Sequence, residues 1–306
     1  MSLPDKPHYL LVVIGPTAIG KTALAIQLAQ HFQCEILSCD SRQFFKEMTL
    51  GTAVPSQKEL DAVPHHFIQH ISIQDSYSVG DFERDAIAHL DRLFEQNNVQ
   101  VLVGGSGLYV NAILEGLDEF PDIDPRIREE LNQALEEKGL PYLQAQLKEL
   151  DPVHYEKVAL DNPQRVTRAL EVSIGTGQPY SSFLAKKKVQ RNFIPIVIGL
   201  EAPREIMYDR INKRVDLMLE GGLLEEVQAL LPYQELNALQ TVGYRELFHY
   251  FNGEGTLEEA IEEIKKNTRR FAKRQITWFK RTPNATWYPY QTDPKLIIAA
   301  ITEQLN

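Results

Sequence analysis

The chain has 306 residues, of which 43% are hydrophobic and 24% charged, and its formal net charge is −10. That is more than an average domain needs for a full core, and the negative sum excludes a protein that coats nucleic acid indiscriminately. No run of about 18 apolar residues is present and Met1–Pro7 lacks the apolar stretch of a secretory signal, so a cytoplasmic protein with no membrane span is expected.

The first predicted element is an apolar strand over Tyr9–Ile14. It runs into Gly15-Pro16-Thr17-Ala18-Ile19-Gly20-Lys21-Thr22, which is followed by a helical pattern over Ala23–Phe32. Strand, glycine-bounded loop and helix in that order make a phosphate cradle. The glycines let successive backbone N–H groups curl around an anion, and the start of the helix adds its positive end. Lys21 contributes a cation and the Thr22 hydroxyl a ligand for Mg²⁺. The loop itself leaves open what the cradle holds. A second strand over Glu35–Cys39 is flanked by the two cysteines, Cys34 and Cys39, which read as reduced core thiols. It ends at Asp40-Ser41-Arg42-Gln43, where Asp40 stands either to take the proton of an incoming nucleophile or to cap a helix.

Further apolar runs predict strands at Phe67–Ile73, Gln100–Val103 and Ile194–Leu200, with a helix over Val79–Gln96. This alternation specifies an α/β fold, a P-loop NTPase-like doubly wound parallel sheet, with its functional groups at the C-terminal ends of the strands. The turn Gly104–Tyr109 after Val103 lacks the third glycine of a dinucleotide fingerprint. It offers Ser106 and backbone N–H groups as a second anion contact, or is simply a tight strand-to-helix turn.

Between Leu117 and Val189 no strand signal occurs, while Pro125–Lys138, Pro141–Glu149 and Gln164–Thr176 are helical. The expected organisation is a core over 1–117, a helical insertion over 118–190, and a second core part over 191–306 with a helical, basic C-terminal region. In that last part Arg210 and Arg214, spaced i, i+4, put two guanidinium groups on one helical face, which suits a diphosphate or a solvated basic surface. From Lys265 to Arg281 there are eight Lys or Arg residues and no Asp or Glu. Ile264, Phe271, Trp278 and Phe279 interrupt them at near-helical spacing, so that one side packs and the other presents cations, to RNA phosphates by preference or to solvent alone. Lys186, Lys187, Lys188 and Arg191 extend the same footprint, and Thr286–Tyr290 is a last strand-like piece.

Several motifs occur in order: GPTAIGKT (15–22), Asp40–Gln43, Gly51-Thr52-Ala53, Tyr77-Ser78-Val79 with Phe82, GGSGLY (104–109), Asp124-Pro125 with Arg126 and Arg128, Gln164-Arg165 with Arg168–Glu171, and Gln240–Glu246. By these the chain resembles the bacterial tRNA dimethylallyltransferase (tRNA isopentenyltransferase) family over nearly its whole length. The resemblance implies transfer of a dimethylallyl group from dimethylallyl diphosphate to the exocyclic N6 amine of the adenosine immediately 3′ of the anticodon. It assigns the cradle, Gly15 to Thr22, together with Arg210, to that diphosphate rather than to ATP. Asp40 would accept the amine's proton, Lys21, Ser106 and Arg214 would hold the leaving pyrophosphate, and Thr22 would hold Mg²⁺. Along the tRNA anticodon stem-loop it implies Asp40, Ser41, Arg42, Gln43, Ser106, Asp124, Gln164, Arg165, Val166, Thr167, Arg168, Gln240, Thr241, Val242, Gly243, Tyr244, Arg245, Lys273, Arg274, Gln275, Trp278 and Lys280, on an enzyme expected to act as a monomer. Ser106 stands where the family usually carries Thr, and Val54 where many members carry Lys.

The alternatives are a P-loop small-molecule kinase, a free-adenylate isopentenyltransferase and a non-catalytic RNA-binding regulator. A kinase leaves Lys265–Arg281 unexplained, and its second acidic motif is missing where Gln100–Val103 ends in glycines. Grip on RNA separates the tRNA enzyme from the adenylate enzyme.

Overall fold

The computed structural model describes residues 6–184 and 189–305. Strands β1 (His8–Ile14), β2 (Ile36–Ser38), β3 (His65–His66), β4 (Val99–Val103), β5 (Phe193–Glu201) and β6 (Thr286–Pro289) form one parallel sheet in the order β3-β2-β4-β1-β5-β6. Alternate residues of β1 feed opposite layers, as the two-residue period of a strand requires. Leu11 and Val13 pack with Leu24 and Leu28 of α1 (Lys21–Phe32). Leu10, Val12 and Ile14 share a second core with Phe82 and Leu90, from the helix Val79–Phe94, and with Val110 and Ile113, from the helix Gly107–Glu115. With α2 (Gln57–Ala62) counted, those last two helices are α3 and α4. No helix among the described residues is long and apolar enough to cross a membrane.

The predicted strand over Phe67–Ile73 does not form. Pairing stops at His66, because Phe67 (φ 61) and Gln69 (φ 48) take left-handed conformations that turn the chain, and Ile71 rejoins only through a single bridge to Phe45. The other five predicted strands are present, with ends shifted by a residue or two.

The chain divides by contacts into two compact units, residues 1–115 with 191–306, and residues 116–190. The second unit holds α5 (Pro125–Lys138), α6 (Leu140–Leu150), α7 (Pro152–Tyr155) and α8 (Pro163–Thr176) around Leu131, Leu143, Leu147, Val166, Ala169 and Leu170. Asp124 and Asn162 cap α5 and α8 through their side chains, each with a proline at the first helical position. In the first unit, α9 (Arg204–Glu220), α10 (Leu223–Leu230), α11 (Tyr244–Phe251) and α12 (Leu257–Phe279) build a third core around Val215, Val227, Leu247 and Ile264. Helix α13 (Pro294–Leu305) lays Ile297 and Ile301 on the α1 side of the sheet. Both cysteines are free and buried, and burial pushes the Cys34 thiol up to about 12 and the Cys39 thiol further, as expected of inert core thiols.

Candidate active site

The cradle forms where the sequence puts it, at the C-terminal end of the central strand β1. Gly20 sits at φ 106, a conformation that suits only glycine, and so brings the chain into α1 with its N–H groups unobstructed. Lys21 Nζ turns back to donate to the carbonyl of Pro16 at 2.8 Å. Its ammonium is buried. That burial lowers its pKa to about 8, with Asp40 opposing the shift and Arg214 adding to it.

Both arginines of the i, i+4 pair reach the loop from α9. Arg210 Nε donates to the carbonyl of Ala18 at 2.7 Å, where Ala18 itself is left-handed (φ 61), and Arg214 donates to Thr17 Oγ1 at 3.1 Å. Two guanidinium groups and an ammonium therefore converge on a loop made to hold an anion.

Asp40 follows β2. Its Oδ1 accepts the Arg42 N–H at 3.2 Å and its carbonyl the Gln43 N–H at 3.0 Å, so it organises a turn and caps no helix. Ser106 Oγ accepts the Ser41 N–H at 3.1 Å and lies 3.1 Å from Ser41 Oγ, which ties the exit of β2 to that of β4. Thr17 to Thr22, Asp40, Gly104, Arg210 and Arg214 line one cleft of about 980 Å³. Leu50, Ala53, Val54, Leu60, Ile68 and Leu217 supply apolar wall to the same space. A carboxylate, a cation-ringed cradle and a short apolar surface thus share one volume, fit for a diphosphate that carries a short apolar group beside a proton acceptor.

Four residues expected along an RNA present no side-chain surface to one. Val166 and Thr167 lie in the core of the second unit, and Tyr244 and Gln275 are buried in the first. The Gln275 amide instead joins two of the strand exits. Its Oε1 accepts the Thr17 N–H at 2.8 Å and its Nε2 donates to the Gly105 carbonyl at 2.9 Å. Gly105 has to be glycine for this, since a Cβ there would stand 2.4 Å from Gln275 Nε2. Tyr244 donates to Glu226 at 2.6 Å, and that carboxylate also accepts the N–H groups of Thr49, Leu50 and Gly51, which fixes one wall of the cleft. Nothing in the sequence around Glu226 signals this role. Arg42 donates to the carbonyls of Asn237 and Ala238, and Gln43 to those of Thr52 and Ala53, so much of the 40–43 signature wires loops together.

The basic helix is only partly a bare cationic face. Lys265 pairs with Asp216 at 2.8 Å, Lys266 with Glu263 at 2.6 Å and Lys280 with Glu201 at 2.7 Å. Lys273, Arg274 and Arg281 are exposed and have no ion pair among the described residues. Of the four apolar positions, Ile264 and Phe279 pack inward, whereas Phe271 and Trp278 stand exposed at 38% and 39% beside those cations. Arg191 is spoken for by Glu83 and by the carbonyls of Ala112 and Ile113, and Lys186, Lys187 and Lys188 lie outside the described residues. In the loop before α11, Gln240 donates to the carbonyl of Gln234, Thr241 and Val242 are half-buried, and Arg245 is exposed. In the second unit, Arg165 and Gln164 are exposed, Gln164 accepting from Arg128, while Arg168 pairs with Glu171 at 2.8 Å and Asp124 with Arg126.

A family model described as IPP transferase matches residues 43–282. The chain is 62% identical over 304 residues to a tRNA dimethylallyltransferase of Flavobacterium johnsoniae, covering 97% of this chain and 98% of that one. It is 60% identical over 299 residues to one of Christiangramia forsetii, covering 98% and 99%. Among solved structures, it resembles a tRNA isopentenylpyrophosphate transferase of Bacillus halodurans (36% identity, TM-score 0.73, 98% and 97% covered). It also resembles a eukaryotic dimethylallyltransferase acting on tRNA (25% identity, TM-score 0.82, 97% and 79% covered).

Proposed function

The chain belongs to the IPP transferase family, and we propose from that premise that it transfers the dimethylallyl group of dimethylallyl diphosphate to the N6 amine of the adenosine 3′-adjacent to the anticodon in tRNA, releasing diphosphate. The observation that carries this reading is the sharing of one cleft by Asp40, Thr17 to Thr22 of the cradle, and Arg214. An adenine amine is a poor nucleophile because its lone pair is delocalised into the ring, so a positioned carboxylate has to take its proton as the new C–N bond forms. Asp40 fills that role. As the allylic C–O bond breaks, charge builds on the departing diphosphate, and Lys21, Arg210, Arg214 and the loop N–H groups bind it more strongly than they bind the ground state. Ser106, expected to hold the leaving pyrophosphate, is not one of the cleft's lining residues; bonded to Ser41, the neighbour of Asp40, it positions the Asp40 turn instead.

The Thr22 hydroxyl brings an oxygen donor to the cleft, which fits Mg²⁺ with most of its waters retained and leaves Asp40 free to act as the base. When bound there the ion would screen the diphosphate charge. The target base has to leave its stack, at a cost that is lowest in a single-stranded loop, which favours an anticodon loop as the substrate.

Purified protein with Mg²⁺ and dimethylallyl diphosphate is expected to add one five-carbon unit to an anticodon stem-loop with an unpaired adenosine 3′ of the anticodon. Mass spectrometry of the product reads this directly, and modification of AMP in place of the stem-loop would assign the adenylate activity instead. Lys273, Arg274 and Trp278 form the exposed part of α12 offered to RNA, two phosphate contacts beside one stacking surface. Neutralising Lys273 and Arg274 together is expected to weaken binding equally across tRNA sequences and to lower the slope of log K against log salt by about 1 per lost contact. An unchanged slope in a filter-binding series would return these residues to plain solvated surface.

A further inference from the structure

A second group of ligating side chains lies outside the cleft and takes no part in the transfer. Glu35 immediately precedes β2, His66 is the last residue of β3, and His89 lies in α3. One ligand atom of each lies within 4.8 Å of the other two. His66 Nε2 is 2.5 Å from Glu35 Oε2, and the His66 and His89 rings are 4.0 Å apart between centroids. His89 Nε2 is shut off from solvent and has no hydrogen-bond partner among the described residues, while its Nδ1 lies 3.0 Å from the Arg92 guanidinium.

We propose that Glu35, His66 and His89 form a binding site for one divalent transition-metal ion, Zn²⁺ foremost, with water completing the coordination. Two imidazoles and one carboxylate are the borderline donor set that Zn²⁺ takes in three-ligand sites, and too few oxygens to suit Mg²⁺ or Ca²⁺. Tetrahedral ligands at 2.0–2.1 Å from zinc stand roughly 3.4 Å apart, so closing the site takes side-chain rotations of about an ångström. An ion pair that merely braces the short edge strand accounts for Glu35 and His66. It leaves the His89 nitrogen buried and unsatisfied, a costly state that a metal would relieve.

Arg92 sets the tautomer in the metal-free form. Donation from its guanidinium to Nδ1 puts the His89 proton on Nε2, whereas metal ligation through Nε2 moves that proton to Nδ1 and turns the arginine away. Arg92 is exposed and able to do so. His65, Ile68 and Gln69, close to His66 in sequence, line the cleft, so an ion here would stiffen that wall without touching the substrates.

The test uses tag-free, full-length protein dialysed against chelator and then titrated with Zn²⁺ in competition with a chromophoric chelator, and separately with Co²⁺. One ion per chain is expected, with a Tm rise of about 5 °C at roughly a hundredfold excess over Kd, reversed by EDTA. The Co²⁺ form should show the visible absorption of a four-coordinate site. His89→Gln should weaken binding by about 10²-fold or more, and Arg92→Ala, which leaves all three ligands in place, should tighten it. Absence of a stoichiometric ion overturns the proposal, as does binding that survives His89→Gln. If His89→Gln fails to fold by far-UV circular dichroism, Arg92→Ala decides, and unchanged or weaker affinity in that variant overturns the proposal.

Discussion

Asp40→Asn should cut prenyl transfer by about 10²–10⁴-fold, the usual worth of a positioned general base, while tRNA binding stays near that of the parent and Tm falls modestly, since Lys21 and Arg214 lose the anion that offsets their burial. Asparagine is the informative change. Its side-chain oxygen can still accept the Arg42 N–H that Asp40 Oδ1 accepts, so the turn between β2 and the Thr49–Ala53 wall survives while the basic lone pair is lost. Asp40→Ala removes both and so mixes a structural effect into the chemical one. The loss should fall on kcat, because the carboxylate acts as the amine proton leaves and contributes little to holding either substrate. The checking measurement is single-turnover transfer to a stem-loop with both substrates saturating. Undiminished turnover in Asp40→Asn would take Asp40 out of the base role and leave it as the anchor of a turn.

The parts of the site that were legible in the sequence are those whose logic is local. The cradle is eight contiguous residues whose glycines, lysine and threonine each have a stated physical duty, and Asp40 follows directly on a strand whose end must face the same edge of the sheet. Arg210 and Arg214 were legible because one helical turn brings them to one face. What stayed hidden depends on partners far away in the chain. Gln275 joins Thr17 and Gly105 across 258 and 170 residues of sequence, and nothing in a basic helix distinguishes a glutamine that faces inward from one that faces RNA. Likewise Lys265 and Lys280 look unopposed until folding brings up Asp216 and Glu201. The false strand at Phe67–Ile73 has the right composition. It fails because two non-glycine residues adopt left-handed φ, a choice imposed by the neighbouring 43–46 loop, which exchanges backbone hydrogen bonds with Gln69, His70 and Ile71. Helix α13 gave no warning beyond an apolar run near the end, where strand and helix are hard to tell apart.

Replacing Lys21 should separate ligand binding from stability in opposite directions. Burial holds its ammonium well below the ordinary lysine range, at about 8, so at neutral pH the empty cleft carries a desolvated charge that costs the folded protein about 3 kcal/mol. The folded chain gives up that proton near pH 8, whereas the unfolded chain keeps it to about 10.4, so the stability of the empty protein rises with pH between those values. A bound diphosphate acts the other way, since its charge favours the ammonium and restores the pKa. The last ionisation of the ligand's terminal phosphate is complete well below this range, at about 6. The alkaline limb of kcat/KM for dimethylallyl diphosphate therefore reports Lys21 in the free enzyme. It should fall by about tenfold per pH unit above roughly 8, while kcat, read in the loaded enzyme, should stay level to higher pH. Lys21→Met keeps the stem, loses the charge and should lower kcat/KM at pH 7 by about 10²–10³-fold. The same variant should abolish the alkaline limb and raise the Tm of the ligand-free protein. A limb that persists in Lys21→Met would assign the titration to another group and leave the lysine's donation to the Pro16 carbonyl as its main work.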